Sequence, residues 1–138
     1  MTAISPPVEA SPVLNAGDAQ ETSNQALEQA LFERISEGIE RQGYVVLPSA
    51  LPETVTDSLL EYLAVIEEQR FHAAAIGRGQ DQVRNQFVRR DRIFWIDERH
   101  EGSTVWLGWS ARLKRYLNRH LFLGLFSFES HFSYYSGE

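Results

Sequence analysis

Leu125-Phe126-Ser127-Phe128-Glu129-Ser130-His131-Phe132-Ser133-Tyr134-Tyr135 alternates in steps of two. Phe126, Phe128, Phe132 and Tyr134 fall on one side. Ser127, Glu129, His131 and Ser133 fall on the other, joined by Tyr135. Successive side chains of an extended chain point to opposite faces, so this spacing predicts a strand over residues 125–135 with one aromatic and one polar face. Such a strand suits the inner wall of a polar pocket, and equally a sheet that is half exposed.

Working outward, Phe87-Val88-Arg89-Arg90-Asp91-Arg92-Ile93-Phe94-Trp95-Ile96 is rich in strand-forming residues and stops at the polar turn Asp97-Glu98-Arg99-His100, where Asp97 and Glu98 read as a solvated element end. Ser103 is placed to cap a helix with Val105, Trp106, Trp109, Leu113, Tyr116 and Leu117 inward. Upstream, Leu27, Leu31, Ile35 and Ile39, with Phe32, predict a helix that opens at Ser23 or Asn24 and stops at Gly43. Tyr44-Val45-Val46-Leu47 reads as a short buried strand, and Pro52 opens a second helix facing inward through Val55, Leu59, Leu63 and Ile66. Residues 71–85 hold no period and read as a loop. Residues 1–22 contain three of the five prolines and read as a disordered tail, leaving residues 23–138 as one α+β domain.

Composition narrows the chemistry. The 138 residues include no cysteine, which excludes disulfides, thiolate zinc sites, a cysteine nucleophile and iron–sulfur clusters. No apolar run reaches the roughly 18 residues of a membrane span, and the chain reads as cytosolic, without a membrane partner. The net charge of −6 is uneven: residues 1–68 carry 12 acidic and 2 basic side chains, and the remainder carries 7 acidic and 11 basic. Arg70, Arg78, Arg84, Arg89, Arg90 and Arg92 crowd one stretch, suited to an anionic partner or to balancing the acidic half. The overall charge and the lack of a reader motif argue against nucleic acid.

None of the four histidines, His72, His100, His120 and His131, begins an H-x-D or H-x-E step, the spacing by which a strand offers two ligands to a facial iron site. Glu129 and His131 share a face, as a pocket pair or as a hydrogen-bonding pair. No G-x-S-x-G, G-x-x-x-x-G-K or G-x-G-x-x-G occurs.

In order, Gly43-Tyr44-Val45-Val46-Leu47 and its helix, the R-x-D-x-I-x-W-I spacing of Arg89, Asp91, Ile93, Trp95 and Ile96, and Phe128-Glu129-Ser130-His131-Phe132-Ser133-Tyr134-Tyr135-Ser136-Gly137 resemble the N-terminal half of the Fe(II)- and 2-oxoglutarate-dependent dioxygenases of the prolyl-hydroxylase type. The resemblance implies the N-terminal helices and first strands of an incomplete double-stranded β-helix, or jelly roll. It places His131 and Tyr135 on the pocket wall and Asp91 and Trp95 on the substrate side, with Arg89 structural or partner-binding. The family's Fe(II) and 2-oxoglutarate ligands, an H-x-D, a distal His and a basic residue, are expected beyond Glu138. This chain alone is therefore expected to hold no metal and to lack activity, with a second protein chain covering an open aromatic edge. The alternative is a non-catalytic interaction module that uses the Arg-rich strand and that edge.

Overall fold

The computed structural model describes residues 7, 15–66, 72–73 and 92–135. α1 (Ala16–Gln42) starts at Ala16 rather than at Ser23 or Asn24, so residues 16–22, expected within the disordered tail, are helical. Ala16, Ala19, Gln20 and Glu21 are good helix formers, and Asp18 in the first turn complements the helix dipole. Thr22 Oγ1 also donates to the Asp18 carbonyl at 2.9 Å. Gly43 ends the helix as expected, at φ 84°, with its N–H on the Ile39 carbonyl.

The apolar stripe of α1 is shorter than its sequence period. A repeat of four residues advances about 400°, so it drifts round the helix by about 40° per step. Leu31 and Phe32 are buried, but Leu27 has drifted into solvent. Beyond Gly43 the expected buried strand is absent. Residues 44–47 are extended without sheet pairing: Val45 and Leu47 turn inward, whereas Tyr44 and Val46 are exposed, Val46 by 76%.

α2 (Glu53–Val65) begins after Pro52 as the sequence indicates. Its inward positions are Val55, Leu59, Tyr62 and Ile66, and Leu63 is exposed. Tyr62 displaces Leu63 from the core because its ring lies on Gly102, where a β-carbon would come within 2.8 Å of the ring. α3 (Thr104–Leu121) follows a 3-10 turn at Glu101–Ser103. Trp106, Trp109, Leu113, Tyr116 and Leu117 face inward as expected, and Val105 does not.

Three antiparallel strands complete an α+β fold: β1 (His72–Ala73), β2 (Arg92–Ile96) and β3 (Ser130–Tyr134), ordered β1-β2-β3. β1 falls inside the stretch expected to be a loop, pairing His72 with Ile93. β3 occupies only the second half of the alternating segment. The first half is held differently: Asn118 receives the Leu125 N–H and donates to its carbonyl, both at 2.7 Å, and Lys114 reaches the Phe126 carbonyl at 3.2 Å. A side chain that takes up both backbone groups of Leu125 leaves neither for a ladder.

Two apolar clusters form the core. Leu31, Phe32, Val55 and Trp109 join the helices, while Tyr62, Ile66 and Ile96 join α2 to the sheet, with Phe94 and Phe132 packed alongside. The return from α1 depends on Gly38, where a β-carbon would lie 2.6 Å from Val45 Cβ. Gly38→Ala is expected to lose about 1–2 kcal/mol in chemical denaturation, because overpacking outweighs the gain in helix propensity. Gly17→Ala, with no neighbour within 4 Å, should change stability by less than about 0.5 kcal/mol.

Candidate functional site

The β2–β3 pair has two chemically different faces. Phe94 lies opposite Phe132, and both turn toward Tyr62 with ring centroids 6.1 and 5.5 Å from it. On the other face Trp95 lies opposite His131, their rings edge to face at 5.3 Å, and Ile93 lies opposite Ser133. The expected alternation therefore holds through β3, with the aromatic side turned to the helices. His131 is exposed on the polar side, and Tyr135, just past the strand, is 69% exposed. The structure thus brings together Trp95 and His131 from the expected site residues. Asp91 and Arg89 lie outside the described residues.

At the end of β2 stands a group that the sequence reading assigned to solvent. Asp97 is only 5% exposed. Its carboxylate accepts the Arg99 backbone N–H at 3.1 Å, an Asx turn, and the Arg99 guanidinium through Nε at 2.9 Å and through Nη2. His100 Nδ1 lies 3.5 Å from the same carboxylate, a contact too long to count as a hydrogen bond. Ser103, fully buried, does not cap α3 with its side chain. Its Oγ sits 2.7 Å from the Asp97 carbonyl and 2.6 Å from that of His100, so the hydroxyl ties the turn to the helix start.

The Arg99 side chain is 77% exposed, so solvent screens its pairing with Asp97 and the ion pair contributes little to stability. The buried backbone and hydroxyl bonds fix the turn instead. The Asp97 hydrogen bond and charge hold the Arg99 guanidinium above its ordinary value.

Tyr62 closes this region, its ring 5.7 Å from His100. Its hydroxyl is buried without a hydrogen-bond partner among the described residues. Burial, and then the charge of Asp97, raise its pKa. Neither Tyr62 nor Asp97 stood out in the sequence. The available signal was Gly102, whose missing side chain makes room for a large ring.

Three of the four histidines stand on separate elements. His131 is on β3, His100 on the turn after β2, and His120 at the end of α3, where its Nδ1 is 2.9 Å from the Tyr116 carbonyl. Among the described residues, no three His, Asp or Glu side chains gather to hold a metal ion. Among the described residues, no helix is long and apolar enough to cross a membrane.

Tyr62→Phe removes an unsatisfied buried hydroxyl and is expected to stabilise the fold by about 1 kcal/mol near neutrality. Because the folded pKa is raised, the unfolded chain ionises first, and the stability held below pH 10 is lost as pH rises through the folded value. The variant should lose less stability than the parent between about pH 9 and about pH 11, measured by denaturant titration, with Tyr116 supplying the remaining slope. No family model matches the chain, and no curated protein and no solved structure matches it.

Proposed function

We propose that this chain provides the helical support and first sheet strands of a prolyl-hydroxylase-like, Fe(II)- and 2-oxoglutarate-dependent oxygenase, and has no competent iron site of its own. The observation that carries the reading is the antiparallel register of β2 with β3, which puts Trp95 of the R-x-D-x-I-x-W-I stretch directly opposite His131. That face, with exposed His131 and Ser133 on β3 beside half-buried Trp95 and buried Ile93 on β2, has the character of a pocket wall; the helices cover the other face. In the proposed assembly, His131 stands on the pocket wall, Trp95 on the substrate side, and α1–α3 support the sheet.

Oxidative decarboxylation of 2-oxoglutarate needs an ion that chelates the keto acid and keeps a position for oxygen. Among the described residues no three His, Asp or Glu side chains gather, and no step of that reaction is assigned to them. The purified chain with Fe(II) and 2-oxoglutarate should form no succinate above a metal-free control. Succinate formed above that control, or stoichiometric Fe(II) retained by the purified chain, overturns the reading.

A second reading, a partner-binding module, is favoured by the segment between α3 and β3. Phe122 and Phe126 are 88% and 90% exposed, yet the Asn118 and Lys114 hydrogen bonds fix the backbone that presents them. Phe122 also adopts a left-handed conformation, φ 54°, which disfavours a bulky residue. Phe122→Gly is expected to raise stability by about 1 kcal/mol and to weaken self-association or partner binding in sedimentation. A stability gain with unchanged association removes this reading.

A further inference from the structure

We propose that the cleft between the first half of α1 and the last half of α3 binds a small organic phosphate monoester. The inference is independent of the oxygenase reading. Gln25, Glu28, Gln29 and Phe32 on α1 face Arg112, Arg115, Tyr116, Arg119 and His120 on α3 across an open cleft of about 370 Å³. Both sets follow the three-and-four spacing of a single helix face. Helix faces turned toward each other ordinarily bury apolar side chains, as these two helices do deeper in the core through Leu31, Phe32 and Trp109. Here the lining is largely polar: three arginines, His120, two glutamines and Glu28 stand beside Phe32 and Tyr116.

One carboxylate enters the cleft, and it is already engaged. Glu28 receives the Arg112 guanidinium at 2.8, 2.9 and 3.2 Å, which raises the arginine above its ordinary value. Arg115 and Arg119 form no ion pair among the described residues. Glu33 and Glu37, further along α1, act on the Tyr116 hydroxyl and pair with neither arginine. Two guanidinium groups are therefore left unpaired among the described residues, on a chain whose net charge is −6.

Neutralising the helix dipole accounts for part of this charge. Arg119 and His120 lie in the last turn of α3, and His120 bonds the Tyr116 carbonyl there. It does not account for Arg115, which is six residues, or about 9 Å, before the helix end, beyond the reach of the terminal turn.

The chemistry of the occupant follows from the lining. Planar guanidinium forks match the oxygens of a phosphate. The Tyr116 and His120 rings stack on each other at 3.8 Å and 14° and line the cleft with aromatic surface, and Gln25 and Gln29 offer amide donors and acceptors. The volume lies in the range of small-ligand sites.

Titration of the full chain with phenyl phosphate, followed by calorimetry and by backbone amide shifts, tests the site. Saturable binding is expected, with shifts centred on residues 115–120 and inorganic phosphate binding more weakly. The double variant Arg115→Gln/Arg119→Gln, at exposed positions whose loss leaves the core intact, should bind at least about tenfold more weakly, while Arg34→Gln on an outward face of α1 should match the parent. Thermal unfolding of each variant checks that the fold is retained. The proposal is overturned by no saturation at about 10 mM, by a loss below about tenfold in the double variant, or by malonate binding as tightly as phenyl phosphate.

Discussion

Leu59 and Trp106 hold the two halves of this fold to each other. Each packs against both apolar clusters, the one that joins α1 to α3 and the one that seats the sheet on α2. Trp106 also stacks on Trp109 at 5.6 Å, and Trp109 meets Phe32 edge to face at 5.5 Å. Helix-to-helix and helix-to-sheet packing thus share one aromatic row on α3. A change in the inclination of α3 would move β2 and β3 along with α1, because close-packed side chains transmit displacement instead of absorbing it.

The same row explains which parts of the sequence were readable. α2, the inward face of α3 and the stop at Gly43 were legible because helical spacing, an opening proline and a closing glycine all point to the same answer. Residues 44–47 were misread because an apolar extended run becomes a strand only with a pairing partner, and Val45 and Leu47 find cover against the helices without one. The spacing points Leu63 inward because it does not register the space above Gly102 that the Tyr62 ring fills. Asp97 reads as solvated in sequence because its burial follows from how the turn is held, with Ser103 tying the Asp97 carbonyl to the start of α3 and Tyr62 packing on His100. These are long-range facts, invisible to a local window.

For the candidate site the division is similar. That β3 would carry two unlike faces was legible, and so was the membership of His131 and Ser133 on the polar one. Which residue would face His131 was not, since strand register is set by pairing and not by composition. The aromatic face proved to be partly core: Phe132 packs on Tyr62, while Phe126 is left in solvent because Asn118 draws the chain away from the ladder before it.

That diversion gives the exposed aromatics a definite physical character. A floppy loop could fold its phenylalanines back onto the protein and recover their burial. This one has its backbone anchored at Leu125 and Phe126 to α3, and Phe122 and Gly124 are turned at positive φ on either side of Leu123. A rigid apolar surface loses little conformational entropy when covered, so its full burial is available to whatever covers it. Both functional readings require such a cover, either later strands of an oxygenase barrel or a separate partner, and they differ only in whether it is supplied by the same fold. The basic cleft lies on the same helix, α3, with Lys114 directed to the loop while Arg115 and Arg119 line the cleft, so one helix serves an apolar surface and a polar one.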